Sequence, residues 1–163
     1  KKRPIVLALN TQSGVDSSLI DLRIACHPVR LLADASTHRA LPQPLITPLA
    51  NLPMHLSDAL AEVDVLNFGL AVKPGHFQVE PTSCVCPAPL VLAYALAVVS
   101  SGDAQKVTMA GFDGYPPGDG RNEETAAILD AFDTYVGGER LVAITPTRYR
   151  LHTISVYAQG HVI

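Results

Sequence analysis

Short, mostly apolar stretches recur along the chain, and each ends at polar residues, glycine or proline. Stretches of this kind are typical of strands that are buried on both faces, where strict alternation of apolar and polar residues is lost. The pattern predicts strands at residues 4–10, 22–26, 45–47, 63–68, 107–110, 141–144 and 153–157.

Three further segments have the spacing or the composition of helices. Residues 54–62 place apolar side chains on one face, whereas residues 90–99 are apolar all round, which is typical of a helix enclosed between other elements. The third helix is capped by Asn122, carries two glutamates in its first turn and ends at the glycine pair 137–138. Prolines at 81, 87 and 89 predict a loop before the second helix.

Apolar strands that alternate with helices predict an α/β fold. The expected form is a three-layer, doubly wound sandwich around a mostly parallel, Rossmann-like sheet, with residues 1–163 as a single domain. In such sheets ligands bind beyond the carboxyl ends of the strands. The polar residues at or soon after predicted strand ends are therefore the candidate ligand-binding residues: Asn10, His27, Arg30, Asp113, Tyr115, Arg121 and Thr145.

The glycine- and proline-rich loop at residues 111–120 joins a predicted strand to the helix capped by Asn122. A loop in this position suits an anion, but it lacks the glycine spacing of a dinucleotide site and the Lys-Ser or Lys-Thr pair of a phosphate loop. A calcium loop starting at Asp113 is excluded, because Tyr115 and Pro117 stand where oxygen ligands are needed. A structural turn with a helix cap remains the alternative to ligand binding by this loop.

Catalytic and metal-binding patterns are absent from the sequence, so no catalytic residue and no metal site is predicted. Cys26 and His27 are adjacent and would point to opposite faces of a strand, which favours a buried thiol beside an exposed imidazole. Cys84 and Cys86 have the wrong spacing for a zinc knuckle. Neither the His-Glu-x-x-His nor the Gly-x-Ser-x-Gly motif occurs.

The composition and net charge of the chain argue against two classes of partner, nucleic acids and membranes. With 48% apolar and 17% charged residues, the chain is expected to form a packed core. The net charge of −3 and the lack of a basic cluster beyond residues 1–3 argue against nucleic acid. The longest apolar run, 87–99, is too short to span a bilayer, so no membrane partner is predicted. The odd number of cysteines, three, indicates a reducing compartment, and cytoplasm is the expected location.

Several motifs together resemble a known protein region. They are Ala110-Gly-Phe-Asp-Gly-Tyr115 with Asp119, Arg121, Asn122 and Glu123, then Leu141-Val-Ala-Ile-Thr-Pro-Thr-Arg-Tyr149, and also Leu7-Ala-Leu-Asn10 and Cys26-His-Pro-Val-Arg-Leu31. These motifs resemble the C-terminal region of aldolase-like proteins that are similar to 4-hydroxy-2-oxovalerate aldolase and the hydroxymethylglutaryl-CoA lyase group. The resemblance spans most of the chain.

The resemblance implies a function for the chain and for a larger protein around it. Such proteins carry an N-terminal, metal-dependent TIM barrel and are often encoded with surface-polysaccharide genes. The barrel's Asp-Arg-Glu run and His-x-His pair do not occur here, and the sequence opens on Lys1, so the chain is expected to be a fragment of a longer lyase. Its expected partner is that barrel, which would hold the divalent metal; no cofactor is expected in these 163 residues.

The sequence pattern and the family resemblance are compatible with three functions. The preferred one is a non-catalytic accessory domain that binds a sugar or nucleotide-sugar, or mediates assembly. The second is a nucleotide-sugar-dependent transferase, since the same extra domain is distantly similar to Rossmann-like sialyltransferases and pterin diphosphokinase-like proteins; their Gly-Pro-Ser turn is missing here. The third is an oligomerisation module that forms a homo-oligomer.

Overall fold

The chain divides into two compact units, Lys1–Ser101 and Gly102–Ile163. The structure, a computed structural model, describes residues 3–11, 14–136 and 140–155. Both units combine helices with mostly parallel strands, so the α/β class predicted from the sequence is confirmed. The expectation of a single domain over residues 1–163 stays a prediction.

The described part of the first unit contains seven strands and four helices. The strands are β1 (Leu7–Leu9), β2 (Leu22–Ile24), β3 (Leu45–Thr47), β4 (Val65–Asn67), β5 (Gly69–Val72), β6 (Gln78–Val79) and β7 (Ser83–Cys86). The helices are α1 (Pro28–Ala33), α2 (Ala35–Ala40), α3 (Met54–Ala59) and α4 (Val91–Ser101). Short 3₁₀ turns lie at Ser17–Leu19 and Leu49–Asn51.

The first four strands form a parallel sheet in the order β1-β2-β3-β4. All three residues of β3 are buried, which means that both faces of this strand are covered. On one face Leu45 packs into a cluster with Ala25 of the β2–α1 connection and with leucines of α1 and α3. The strand predicted at 45–47 is confirmed, and the strand predicted at 22–26 is confirmed for Leu22–Ile24. Burial on both faces favours the mostly apolar runs from which they were predicted.

A second sheet in this unit has the order β5-β7-β6, with β5 and β7 parallel and β6 antiparallel to β7. The sequence prediction of a loop across residues 81–89 is wrong for Ser83–Cys86. Cys84 and Cys86 point inward and are buried, while Ser83 and Val85 are only half-buried, so this stretch has the period of two that a strand requires. The prolines at 81 and 87 bound the strand rather than exclude it.

Helix α4 is enclosed, as its uniform apolarity predicts. Residues 92–97 are all buried, and the helix packs against β7, β6 and β1. Its one aromatic side chain, Tyr94, lies 5.9 Å from the ring of Phe68, centroid to centroid, and its hydroxyl donates a hydrogen bond to the Phe68 carbonyl. Burial raises the pKa of the Tyr94 hydroxyl, so it stays protonated and keeps this donor.

The described part of the second unit contains β8 (Val107–Met109), α5 (Arg121–Val136), β9 (Leu141–Ala143) and β10 (His152–Thr153). The three strands are parallel in the order β10-β9-β8. The predicted cap at Asn122 is wrong, because α5 begins one residue earlier and Asn122 lies inside its first turn. The glutamates at 123 and 124 do occupy that turn, where the helix dipole favours acids.

The structure also bears on the predictions made for Cys26 and His27 and for the last strand. Cys26 is buried and His27 is exposed, as predicted, and all three cysteines are free thiols. No helix in the part of the chain that the structure describes is long and apolar enough to cross a membrane. The predicted strand at 153–157 begins one residue early, at His152, and its last two residues lie outside the described residues.

The leucine cluster of the first unit provides a test of the packing. We expect Leu45→Ala, which truncates a side chain that is 0% exposed, to lower the free energy of unfolding by about 2–5 kcal/mol through lost burial and a residual cavity. Chemical denaturation measures the loss. Leu66→Ala on the neighbouring strand is the matched control, because Leu66 is 47% exposed and should cost much less. Equal losses in the two variants would contradict the assigned core.

Candidate functional site

A buried arginine lies in the middle of strand β2. Arg23 is 2% exposed, although its neighbours in sequence are leucine and isoleucine. Its Nε and Nη2 atoms both donate to the Gln43 carbonyl, at 3.2 and 2.7 Å. Nη2 also donates to the His38 and Leu41 carbonyls, at 3.2 and 3.4 Å. Arg23 therefore satisfies the His38 and Leu41 carbonyls at the end of α2, which the helix itself leaves without donors, and the Gln43 carbonyl in the connection to β3.

The fourth partner of this guanidinium is the ring of His38, which is 1% exposed. Arg23 Nη1 lies 2.7 Å from His38 Nδ1, and since arginine has no acceptor atom, Nδ1 must accept. His38 is therefore neutral, with its proton on Nε2. Burial lowers the pKa of His38, the Arg23 charge lowers it further, and the Asp34 carboxylate opposes both effects. Burial also lowers the pKa of Arg23, whose described partners are all neutral.

Beside this arginine lies a cavity of about 170 Å³, which we call the Arg23 cavity. Its polar lining consists of Asn10, Thr11, Ser17, Arg23 and Gln43, and its apolar lining of Ala8, Val15, Ile20 and Leu41. Ala8 is the register partner of Arg23 in the parallel sheet, so the two side chains share one face of it. The small side chain on β1 leaves space next to the long one on β2.

One polar atom of Gln43, a residue that lines this cavity, has no partner among the described residues. Gln43 is 7% exposed, and its Nε2 donates to the carbonyl and the hydroxyl oxygens of Ser17, at 2.6 and 2.8 Å. Its Oε1 accepts no hydrogen bond within the described part of the chain. A buried acceptor without a donor is costly, on the order of 1–3 kcal/mol, so this atom marks a place where a ligand hydroxyl or a water would be stabilised.

The structure separates the three predicted ligand residues of this unit. Asn10 lines the Arg23 cavity and has a φ of 58°, in the left-handed region that asparagine tolerates. His27 and Arg30 are exposed at the start of α1 and do not line the cavity. Sequence reasoning missed Arg23 and Gln43. A charged residue inside an otherwise apolar strand was the signal available for Arg23, whereas nothing in the sequence marked Gln43.

In the second unit, Asn122 holds the loop that precedes its own helix. Its Oδ1 accepts from the Tyr115 backbone N–H at 2.9 Å and from the Tyr149 hydroxyl at 3.2 Å. Its Nδ2 donates to the Tyr115 and Pro116 carbonyls, both at 3.1 Å. The side chain thus replaces backbone pairing for a proline-containing loop. This role explains why Asn122 looked like a helix cap from its position in the sequence.

Two threonines join the same loop to the segment after β9. The Gly111 N–H donates to Thr145 Oγ1 at 2.9 Å, and Thr147 Oγ1 donates to the Phe112 carbonyl at 2.6 Å. Gly114 has a φ of 101°, and a Cβ atom there would lie 2.3 Å from Cδ of Arg148. The positive φ favours glycine here, and a larger side chain would also displace Arg148, which crosses this position to donate to the Tyr115 carbonyl.

The charged groups of this loop are largely engaged with each other. Arg121 binds the Asp119 carboxylate through Nε and Nη2, with contacts of 2.6–3.2 Å, and its guanidinium lies 4.0 Å from the centre of the Tyr115 ring. Hydrogen bonds from Arg121 lower the pKa of Asp119 to about 2. The carboxylate of Asp113, by contrast, is on an exposed residue.

The four predicted site residues of this unit therefore share one loop cluster, formed by the β8–α5 loop and the segment after β9. Thr145 and Arg121 serve the loop itself, Tyr115 stacks on Arg121, and Asp113 faces solvent. Sequence reasoning missed Arg148. A shallow, mostly apolar groove of about 220 Å³ lies beside the cluster, lined by Asn122, Glu123, Ala126, Arg148, Tyr149 and Arg150.

Metal and thiol chemistry find little support in the geometry. Within residues 3–11, 14–136 and 140–155, no group of three or more His, Cys, Asp or Glu could hold a metal ion. Burial raises the pKa of the Cys26 thiol to about 12, which keeps it protonated and weakly nucleophilic at neutral pH. Cys84 and Cys86 are in contact, Sγ to Sγ 3.6 Å, and both are buried. The Arg23 cavity is therefore the better candidate for a ligand site.

Comparison with known proteins gives no match, since no family model, curated protein or solved structure is significantly similar to this chain. The resemblance to the C-terminal region of aldolase-like proteins consequently rests on the sequence motifs.

The state of His38 predicts how stability depends on pH. Its pKa is lower in the folded chain than its ordinary value of 6.5, so unfolding takes up a proton. The free energy of unfolding should therefore fall as the pH drops below about 6.5, with at most about 1.4 kcal/mol per pH unit from this group. Denaturation of the wild type and of His38→Asn, which keeps an acceptor oxygen but cannot titrate, measures this contribution.

The control for this experiment is His55→Asn, which changes an exposed histidine. The pH dependence should be weaker in His38→Asn between pH 7 and 5 and unchanged in His55→Asn. If His38→Asn retained the full dependence of the wild type, the neutral state assigned to His38 would be wrong.

The hydrogen bonds of Asn122 predict a second, local effect. Asn122→Asp keeps the size and the acceptor atom but removes both N–H donors to the Tyr115 and Pro116 carbonyls. We expect a loss of about 1–3 kcal/mol in unfolding free energy, because two loop carbonyls lose their donors while the Tyr115 N–H keeps its acceptor. Chemical denaturation measures the loss, and Asp133→Asn, a change at an exposed position of the same helix, is the control. An unchanged unfolding free energy in Asn122→Asp would show that these two hydrogen bonds do not stabilise the loop.

Proposed function

We propose that this chain is a non-catalytic accessory domain that binds a sugar or nucleotide-sugar at the Arg23 cavity. The observation that carries the proposal is that a buried cation, Arg23, and a residue with an unpartnered acceptor, Gln43, line the same cavity. Hydroxyl groups both donate and accept hydrogen bonds, so a polyhydroxylated ligand matches a site that offers both kinds of atom.

We also propose a function for the longer protein to which the domain belongs. On the motif resemblance, the larger chain is a metal-dependent, carbon–carbon bond-cleaving lyase linked to surface-polysaccharide synthesis in the cytoplasm. The aldolase barrel would be the domain's partner and would hold the divalent metal. The parallel strand pairs in both units support a Rossmann-like α/β architecture, and the three-layer, doubly wound arrangement is part of this proposal.

Two alternative functions are each favoured by one observation. Val29, Leu32 and Met54 are 70, 50 and 80% exposed, as the contact face of an oligomerisation module would be in a free monomer. The exposed carboxylate of Asp113, in a loop that follows a strand end, is where a transferase could place a general base. Neither has an unpartnered buried group of the kind that marks the Arg23 cavity.

A thermal-shift experiment with two variants tests the proposed function. A ligand present at 100 times its dissociation constant adds about 2.7 kcal/mol of stability, so glucose, glucuronate and UDP-glucose can be screened by melting temperature. We expect at least one to stabilise the wild type and to lose its effect in Gln43→Met, which removes the side-chain amide but leaves the backbone carbonyl that Arg23 binds. Asp113→Ala should keep the shift.

Two other results of this experiment would each favour one of the alternative functions. A shift that is lost in Asp113→Ala and retained in Gln43→Met would move the site to the loop cluster and favour the transferase. A concentration-dependent oligomer that responds to none of these ligands would favour the oligomerisation module and overturn the proposed function.

A further inference from the structure

We propose that the Arg23 cavity binds the α-hydroxycarboxylate end of its ligand, the chemistry shared by open-chain sugar acids (aldonates) and short hydroxy acids. This inference rests on the proposed function and specifies which part of a ligand enters the cavity. It follows from the charge of the site, its free hydrogen-bonding atoms and its size, each of which points to the same group.

The charge of the site selects an anion. The guanidinium of Arg23 is bonded to three carbonyl groups and one neutral imidazole, and no carboxylate contacts it among the described residues. The nearby acid Asp34 accepts a hydrogen bond from the Thr11 hydroxyl at 3.1 Å instead. A buried charge without a counter-ion is unfavourable, so a monoanion in the cavity would be stabilised by it.

The free hydrogen-bonding atoms select a carboxylate next to a hydroxyl. Arg23 has five N–H groups, and its described contacts engage Nε, both hydrogens of Nη2 and one of Nη1, which leaves one N–H on Nη1. The Ser17 hydroxyl accepts from Gln43 and keeps its own hydrogen to donate. Two donors suit a carboxylate, and Gln43 Oε1 suits a hydroxyl that donates to it.

The size of the cavity limits the ligand to a small group. A cavity of about 150 Å³ holds benzene, so about 170 Å³ holds six or seven non-hydrogen atoms. This matches a carboxylate with two more carbons and their hydroxyls. A diphosphate has nine such atoms and more than one negative charge, which exceeds both the volume and the single cation. The nucleotide part of a nucleotide-sugar would therefore lie outside the cavity.

Matched pairs of ligands test this inference on the whole chain. Glycerate and glycerol differ by the carboxylate, and lactate and propionate by the α-hydroxyl; gluconate and glucose are the sugar acid and the neutral sugar. Calorimetric titration should show that each α-hydroxycarboxylate binds at least tenfold more tightly than its partner lacking one group. Gln43→Met should reduce lactate affinity to that of propionate and leave propionate unchanged. Circular dichroism and the melting temperature establish that the variant is folded.

The two sources of the same chemistry are separated by comparing gluconate with glycerate. Gluconate carries the α-hydroxycarboxylate at the end of a six-carbon chain, so tighter gluconate binding identifies a sugar acid, and tighter glycerate binding a short hydroxy acid. Both results support the inference. Equal binding of glycerate and glycerol, or binding unaffected by Gln43→Met, would overturn it.

Failure of the inference can be told apart from failure of the proposed function. If glucose or UDP-glucose bound in a manner sensitive to Gln43→Met while no carboxylate did, the inference would be overturned and the proposed function would stand. If no ligand bound, the cavity would hold water alone and both would be overturned. Tighter binding of inorganic phosphate than of glycerate would overturn the inference as well, because it would show selection for a more highly charged anion that has no α-hydroxyl.

Discussion

The guanidinium of Arg23 is the group around which the first unit is organised. Removing an ion from water costs several kcal/mol, and here the cost is offset by hydrogen bonds to the His38, Leu41 and Gln43 carbonyls. Those carbonyls lie at the end of α2 and in its connection to β3, where a helix leaves acceptors without donors. The charge and the helix end therefore stabilise each other, and together they fix the position from which β3 starts.

The cavity is a consequence of the same arrangement. Because β1 and β2 are parallel and in register, Ala8 lies beside Arg23 on one face of the sheet, and a methyl group next to a long side chain leaves volume unfilled. Gln43 contributes its backbone to the arginine and its side chain to Ser17, so one residue joins the charge to the polar wall of the cavity. A structural interaction thus creates the polar site.

The sequence predicted the strands and helices best where neighbouring elements cover an element on all of its faces. Strand β3 is apolar except for Thr47, and helix α4 is apolar from Val91 to Val99, because neighbours bury all of β3 and residues 92–97 of α4. Such runs are visible without any structure. Helices α1 and α2 were not predicted, since six residues are too few to establish a helical period and tertiary packing stabilises them instead. Strand β7 was missed because its flanking prolines were interpreted as marks of a loop.

The site was harder to predict, because the availability of a polar side chain depends on its neighbours in three dimensions. Arg121 has the sequence context of a free cation at a helix start, yet Asp119 neutralises it and Tyr115 covers it. Arg23 stands in an apolar strand, where a charge is unexpected, and it has only neutral partners among the described residues. Since a buried charge is stable only when its surroundings compensate for it, an arginine inside an apolar strand indicates a polar interior that the surrounding apolar pattern conceals.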